Sequence, residues 1–261
     1  MSAPIPSSSS QLFDLAGRTA LVTGASRGIG AGAVAALAAA GARVVGVART
    51  EEAMGEIGEA VTASGGAFVP LACDLSDRAA VAHLAERVDR AGVEVDILVN
   101  SAGIAHREPA ERHSDAGWDE VLDVDLRAPG LLSRDFGRHM LDRGWGRIVF
   151  VGSMMTFQGG RNVVSYAAAK SGIAGIVHAL ANEWTDRGVT VNAIAPGYIR
   201  TDLTVASHSD DAVSRRFVER IPAGRWGEPA DLAGSLVFLS SPASAYVSGV
   251  VLPVDGGWLT R

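Results

Sequence analysis

Three side chains in the second half of the chain have the types and spacing of a proton-transfer site. Tyr166 and Lys170 are four residues apart, so on a helix both side chains project from the same face. A free tyrosine phenol is a poor base at neutral pH, but a nearby ammonium stabilises the phenolate. Ser153 follows a predicted strand, where its hydroxyl can bond a substrate oxygen as charge develops. The pattern predicts hydride transfer at a carbinol carbon and proton transfer at its oxygen, with Ser153, Tyr166 and Lys170 as catalytic groups.

The lysine of this set is unusual because it is the only one in the chain. The 23 basic residues comprise 22 arginines and Lys170. A lysine ammonium can give up its proton, whereas an arginine guanidinium does not. We infer that position 170 requires an ammonium.

A glycine-rich segment near the N-terminus has the features of a phosphate-binding turn. Residues 23–30 read Thr-Gly-Ala-Ser-Arg-Gly-Ile-Gly and lie between a predicted strand and a predicted helix. Glycines let the backbone turn tightly and approach a pyrophosphate, whose charge is favoured at a helix N-terminus. The cofactor contacts expected here are Gly24, Ser26, Arg27, Gly28, Ile29 and Gly30.

The end of the second predicted strand indicates which dinucleotide is preferred. An NAD site usually has an acidic residue there for the ribose hydroxyls, but this strand is followed by Arg49. Arg27 and Arg49 together suit a 2′-phosphate. We predict NADP(H) as the preferred cofactor, with NAD(H) as the alternative.

Apolar runs alternate with alanine-rich stretches along the whole chain. This is the pattern of a parallel sheet covered by helices. The predicted strands are 19–22, 43–47, 67–71, 97–99, 147–151, 190–194 and 250–253. The predicted helices are 29–40, 51–64, 77–91, 115–142, 165–187 and 229–240. The fold class is therefore α/β: a single doubly wound Rossmann-type domain, with a seven-stranded parallel sheet and helices on both faces.

The domain boundaries follow from composition. Residues 1–12 are rich in Ser and Pro and are predicted to be a disordered tail, and residues 13–261 form the domain. Residues 198–226 are the longest predicted irregular insertion. They follow the sixth strand, so they would overhang the carboxyl edge of the sheet as a substrate lid.

Composition also excludes several classes of function. The net charge is −6, which argues against nucleic-acid binding. The six histidines show no metal-ligand spacing, and we predict no metal. No stretch is apolar enough to span a membrane, and the single cysteine, Cys73, fits a reducing compartment. These features predict a cytoplasmic protein that acts on a small molecule.

Taken together, the motifs resemble the short-chain dehydrogenase/reductase family over residues 13–261. The matching segments are residues 23–30, Asp74-Leu75, residues 100–103, Ser153, the Tyr166/Lys170 pair and Pro196-Gly197. The resemblance implies further cofactor contacts, besides those of Tyr166 and Lys170: Asp74 and Leu75 at the adenine, Asn100, Ala102 and Gly103 beside the fourth strand, and Pro196, Gly197, Ile199 and Thr201 along the nicotinamide. With the alanine-rich helix from Tyr166 to Trp184, it also implies a homo-tetramer.

Two positions depart from the family pattern. Ser101 stands where the family's Asn-Asn-Ala-Gly segment has its second asparagine, which is a mild change, and the other departure is at Asp125. The helix asparagine that completes the family's catalytic tetrad aligns with Asp125. An ionised aspartate only accepts hydrogen bonds, whereas asparagine also donates them. A carboxylate near Lys170 would partly offset the effect of the ammonium on Tyr166, so we expect Asp125 to reduce activity or shift its pH dependence.

The second half more narrowly resembles the 2-dehydro-3-deoxy-D-gluconate 5-dehydrogenases of that family. The similar segments include residues 157–160, 181–184, 191–198, 220–227 and 254–259. The resemblance implies a sugar acid or polyol as substrate. A carboxylate is best held by arginine, so Arg107 and Arg161 are candidate substrate contacts, and Gln158 could bond hydroxyls.

Two alternatives stay open at this point. A 3-oxoacyl-(acyl-carrier-protein) reductase would share the fold and the chemistry, and Arg215, Arg216 and Arg220 could meet an acidic carrier. A non-catalytic cofactor-binding regulator would explain Asp125, although the retained Ser153, Tyr166 and Lys170 oppose it.

Overall fold

The structure is a computed structural model that describes residues 9–261. Most of the tail predicted for residues 1–12 therefore lies outside the described residues. Its last four residues lie within the described chain and form a short helix, α1 (Ser9–Leu12).

A single parallel sheet of seven strands organises the described chain, in the order β3-β2-β1-β4-β5-β6-β7. The prediction of a seven-stranded doubly wound sheet is confirmed. The strands are β1 (Thr19–Thr23), β2 (Arg43–Ala48), β3 (Phe68–Ala72), β4 (Ile97–Asn100), β5 (Gly146–Val151), β6 (Val189–Pro196) and β7 (Val251–Val254). Strands β5 and β6 are buried along their whole length, which explains their nearly continuous apolar sequences.

Helices connect the strands and cover both faces of the sheet. They are α2 (Gly28–Ala39), α3 (Gly55–Ala63), α4 (Arg78–Arg90), α5 (Asp115–Leu122), α6 (Ala128–Arg143), α7 (Val164–Trp184), α8 (Val205–His208), α9 (Asp211–Arg220) and α10 (Ala233–Ser240). One apolar cluster includes Leu98, Phe136 and Ile173 on one face. A second includes Val22, Leu37 and Leu236 on the other.

The predicted helix 115–142 is interrupted. Between α5 and α6 the chain forms a π-helical turn, Asp123–Arg127, so one continuous α-helix is the wrong description. A π-turn inserts an extra residue and redirects the side chains near it, and such turns are frequent at functional sites. Here the redirected residue is Asp125, which is buried.

The predicted lid, 198–226, is mostly helical, so its description as irregular is also wrong. It contains a 3₁₀ turn (Asp202–Thr204), α8 and α9. Its two ends are joined because Ile199 bridges to Gly227. In the part of the chain that is described, no helix is both long and apolar enough to cross a membrane.

Candidate active site

The predicted functional residues follow the carboxyl ends of several parallel strands. The glycine turn follows β1, Asn100 ends β4, Ser153 comes two residues after β5, and Gly197 follows β6. Because β1 lies between β2 and β4, the connections leave this point in opposite directions. The crevice at such a switch point is where ligands bind in open α/β sheets.

The glycine turn has room only for hydrogen side chains at two positions. Gly24 has φ +68°, and a Cβ there would lie 2.8 Å from the Cα of Ala102. A Cβ on Gly30 would collide with the carbonyl oxygen of Gly24. The turn is therefore tight because backbone packs on backbone, and α2 begins directly behind it at Gly28.

Hydrogen bonds join this turn to the segment after β4. The hydroxyl oxygen of Thr23 accepts the N–H groups of Ser101 (3.1 Å) and Ala102 (3.2 Å). Asn100 donates to the Ser133 hydroxyl at 3.1 Å, but its Oδ1 and the Oγ of Ser101 are buried without a hydrogen-bond partner in the described structure. A close-approach backbone turn beside unsatisfied polar atoms fits a dinucleotide.

The two arginines predicted to hold a 2′-phosphate differ in their surroundings. Arg27 forms an ion pair with Asp202 of the lid, 3.2 Å away. Arg49 is exposed, and the described residues place no carboxylate within 4 Å of it. Both lie at the correct edge of the sheet, and a phosphate at Arg27 would compete with Asp202.

Ser153 is positioned by a turn that is tied to the helix of Tyr166. Its Oγ accepts the N–H of Met155 at 3.2 Å, which leaves the hydroxyl proton of Ser153 free to be donated. Its own N–H donates to the Thr156 hydroxyl at 3.2 Å, and that hydroxyl donates to the main-chain carbonyl of Lys170 at 3.1 Å. Thr156 thus sets the position of Ser153 relative to α7.

Lys170 is buried and its ammonium is held between two elements. Its Nζ donates to the Val151 carbonyl at the end of β5, at 3.0 Å, and lies 3.2 Å from Oδ2 of Asp125. The other carboxylate oxygen of Asp125 accepts the N–H of Ile104 at 2.8 Å. A Cβ on Gly103 would lie 3.0 Å from Oδ2 of Asp125, so the backbone after β4 covers the pair closely.

The electrostatics of this pair decide the state of the ammonium. Burial alone favours the neutral amine, but Asp125 and Tyr166 outweigh that effect, and the pKa of Lys170 is raised. Lys170 therefore stays charged at neutral pH. Its Nζ lies 5.5 Å from the centroid of the Tyr166 ring, so a full positive charge is close to the phenol.

The structure brings the remaining predicted cofactor residues to the same edge. Asp74 and Leu75 follow β3, and the Asp74 carboxylate accepts the backbone N–H of Ser76. Pro196 ends β6 and Ile199 is buried. Thr201 lies close to the glycine turn, because a Cβ added to Gly28 would be only 3.3 Å from its methyl group.

Of the predicted substrate contacts, Arg107 and Arg161 are exposed and Gln158 is partly buried. The loop of Arg107 is joined to that of Arg161, because the N–H of Glu108 donates to the carbonyl of Asn162 at 3.0 Å.

Several residues of the site were not found from the sequence. Thr156 was missed, although its position three residues after Ser153 is a capping-box signature. Asp202 and Tyr198 were not singled out as site residues, and Arg220 was considered only as a contact for an acidic carrier, since nothing local indicates which loops these residues meet. In the range 9–261, no group of three histidine, cysteine or acidic residues is arranged to hold a metal ion.

A family model and several known proteins match nearly the whole chain. The family model described as "Enoyl-(Acyl carrier protein) reductase" matches residues 24–259. The 2-dehydro-3-deoxy-D-gluconate 5-dehydrogenase of Pseudoalteromonas atlantica is 48% identical over 250 residues, covering 95% of this chain and 98% of that relative. The 3-oxoacyl-[acyl-carrier-protein] reductase of Escherichia coli is 38% identical over 241 residues, covering 92% and 97%.

One solved structure is similar to this chain over nearly its whole length. A Beutenbergia cavernae protein, provisionally named an NAD(P)-dependent gluconate 5-dehydrogenase, was crystallised with NADP at low occupancy. It superposes with a TM-score of 0.93 at 49% identity and covers 96% of this chain and 100% of its own.

Proposed function

The chain belongs to the short-chain dehydrogenase/reductase family, and from that premise we propose that it interconverts a secondary alcohol and a ketone on a sugar acid, with NADP(H) as cofactor. The observation that carries the chemistry is the charged, buried Lys170 one helical turn from Tyr166. The substrate class is supported by the relatives at 48% and 49% identity, which are named for gluconate derivatives.

Side chains of this protein transfer the proton in the proposed reaction. When bound, the nicotinamide accepts or gives up the hydride. The Tyr166 phenolate takes the hydroxyl proton of the alcohol, or the phenol returns it to the ketone oxygen. The free proton of Ser153 bonds the same oxygen as negative charge develops. Lys170 keeps the phenolate favourable, and Asp125 with the Val151 carbonyl keeps the ammonium in place.

The residues after β1 and β4 would hold the dinucleotide, and Arg27 and Arg49 are the basis for preferring NADP(H). A comparison of kcat/KM with NADP and with NAD tests this choice. A preference for NAD would refute it. Arg107, Arg161 and Gln158 remain the predicted substrate contacts, and an unchanged KM for a sugar acid after Arg161→Ala would remove Arg161 from that set.

The central experiment is a panel of sugar acids and polyols with wild-type enzyme and Tyr166→Phe, followed by the absorbance of reduced nicotinamide. We expect turnover of at least one sugar acid, lost in Tyr166→Phe while cofactor binding is retained. Cofactor binding without any turnover by the wild type would favour the non-catalytic regulator.

A reductase of 3-oxoacyl thioesters is the second candidate, favoured by the E. coli relative at 38% identity and by the exposed Arg215 and Arg216 on α9. Steady-state rates with a 3-oxoacyl thioester and with a keto-sugar acid discriminate the two.

We also propose a cytoplasmic homo-tetramer. The alanine-rich α7 and the fully exposed Tyr246 support an interface between copies, and the single buried Cys73 fits a reducing compartment. Sedimentation at several concentrations tests the assembly, and a monomer at all of them would refute it.

A further inference from the structure

Arginines near the active-site mouth fall into two groups. Arg27, Arg200 and Arg225 each have a carboxylate partner, at 3.2, 3.3 and 2.7 Å respectively. Arg107 and Arg220 have no carboxylate within 4 Å among residues 9–261. An arginine left without a counter-ion beside a cleft is available to a ligand anion.

Arg220 is nevertheless held in a defined place. It is the last residue of α9, and its guanidinium carbon lies 3.8 Å from the centroid of the Trp258 ring. Stacking on an indole face fixes the plane of the guanidinium while leaving its N–H edge free to donate. The edge of Trp258 meets the ring of Tyr198, with 4.6 Å between centroids.

Tyr198 shares an apolar cluster with the catalytic tyrosine. Tyr166 and Tyr198 pack on the same apolar cluster, whose buried members include Met155, Val163 and Trp258. Within the described structure the Tyr198 hydroxyl has no hydrogen-bond partner. Burial raises the pKa of Tyr198, so its phenol stays protonated at neutral pH and is a donor.

A second arginine, Arg107, lies on another loop and acts electrostatically on the same phenol. The positive charges of Arg220 and Arg107 both act on the Tyr198 phenol, where they oppose the effect of burial on its pKa. The loop of Arg107 is also held beside the same apolar cluster, because the N–H of Glu108 donates to the carbonyl of Asn162, the residue before the buried Val163. Arg107 belongs to the loop after β4, whereas Arg220 ends the main helix of the lid. Arg107, Arg220 and Tyr198 therefore bring donors from three segments to the cluster on which Tyr166 also packs, and none of the three side chains has an acceptor within the described structure.

We infer that Arg107, Arg220 and the Tyr198 hydroxyl form a clamp for the carboxylate of the substrate. This inference rests on the proposed function and specifies which residues select a sugar acid over a neutral polyol. Charge-assisted hydrogen bonds from two guanidinium groups hold the carboxylate, and the shared cluster places it next to the proton-transfer site. Because Arg220 belongs to the lid, carboxylate binding also holds the lid against the loop after β4.

Binding without turnover gives the sharpest test. The protein saturated with NADPH cannot oxidise an alcohol, so D-gluconate and D-glucitol, which differ in carboxylate against hydroxymethyl, can be titrated into it by calorimetry. We expect wild type to prefer D-gluconate. Arg220→Gln and Arg107→Gln should each weaken D-gluconate binding about 10-fold or more and leave D-glucitol binding unchanged. Tyr198→Phe should weaken D-gluconate binding about 3-fold.

The matched control is Arg216→Gln, which removes an exposed arginine of the same helix. It should leave the binding of both D-gluconate and D-glucitol unchanged. Equal losses in Arg216→Gln and Arg220→Gln would mean a diffuse basic surface and overturn the clamp. So would a wild type that does not prefer D-gluconate, or an Arg220→Gln variant that loses both ligands equally.

Two further outcomes separate a folding defect and a failure of the proposed function from a failure of the clamp. If Arg220→Gln does not fold, Arg107→Gln, on an exposed loop, carries the test. The proposed function fails independently if the clamp variants behave as expected but no sugar acid in the panel is oxidised with NADP.

Discussion

Two ion pairs border the active site, with the same separation and opposite environments. Lys170 and Asp125 are 3.2 Å apart with side chains 5% and 0% exposed. Arg27 and Asp202 are also 3.2 Å apart, but their side chains are 68% and 70% exposed. Water screens the second pair almost completely, whereas the first interacts in a low-dielectric interior.

The difference shows that burial decides what an ion pair of a given length can do. The buried pair cannot separate cheaply, because either charge alone would be desolvated without a partner. It therefore holds a permanent charge beside Tyr166. The exposed pair contributes little to stability and is easily exchanged for another anion, which suits a contact between the lid and a cofactor-binding turn.

The largest effect is expected from removing the buried charge. Lys170→Met should lower kcat about 10³-fold or more, because the phenolate loses its electrostatic support, as followed by absorbance of reduced nicotinamide on a proven substrate. Lys170→Arg should restore little activity, since a guanidinium is larger and does not release a proton. Undiminished turnover in Lys170→Met would refute the proposed role of this pair.

A smaller effect is expected from neutralising the partner. In Asp125→Asn the buried Lys170 loses the carboxylate that raises its pKa against the effect of burial, so the ammonium should lose its proton more easily and the alkaline limb of the pH–kcat profile should move to lower pH. Asp123→Asn is the control, because Asp123 lies in the same π-helical turn but pairs with Arg78. An identical profile for wild type and Asp125→Asn would show that Asp125 has no electrostatic role.

The exposed pair should affect the cofactor alone. Asp202→Asn frees Arg27, so KM for NADP should fall about 2- to 5-fold, as expected for an exposed pair of ~0.5–1 kcal/mol, with KM for NAD unchanged. The difference should shrink in 1 M salt. Glu228→Gln, which breaks the exposed pair with Arg200, should leave both values unchanged. A parallel change for both cofactors would contradict competition at Arg27.

The smallest effect is expected where the lid rejoins the domain. Arg225 donates to both oxygens of Asp231 at 2.7 Å, and this hydrogen bonding lowers the pKa of Asp231 to about 2. A carboxyl whose pKa is lower in the folded than in the unfolded protein stabilises the fold at pH values above its unfolded-state pKa. This stabilisation is lost as the pH falls toward 2. Asp231→Asn should slightly lower the melting temperature at pH 6 and have no effect near pH 2, as measured by calorimetry. Glu59→Gln, an exposed acid on α3, is the control; a loss independent of pH would show that the contact is not electrostatic.

The sequence predicted the architecture and the chemical core of the site because those depend on local patterns. Alternating apolar runs give buried parallel strands, and glycines at 24 and 30 are needed where backbone touches backbone. Tyr166 and Lys170 share a helix, so four residues of spacing suffice to bring them together. The two predictions that the structure corrected, the continuous helix 115–142 and the irregular lid, failed because helix breaks and lid helices depend on contacts with other segments.

By itself, the sequence determined the sheet, the glycine turn and the tyrosine–lysine pair, since neighbouring residues on one element carry each of these. Only the tertiary structure decided that Asp125 meets Lys170, that Asp202 reaches Arg27, and that Arg220 stacks on Trp258 beside Tyr198. These contacts join side chains from separate loops. Their distances are set by how the whole sheet and its helices pack, and no local spacing encodes them.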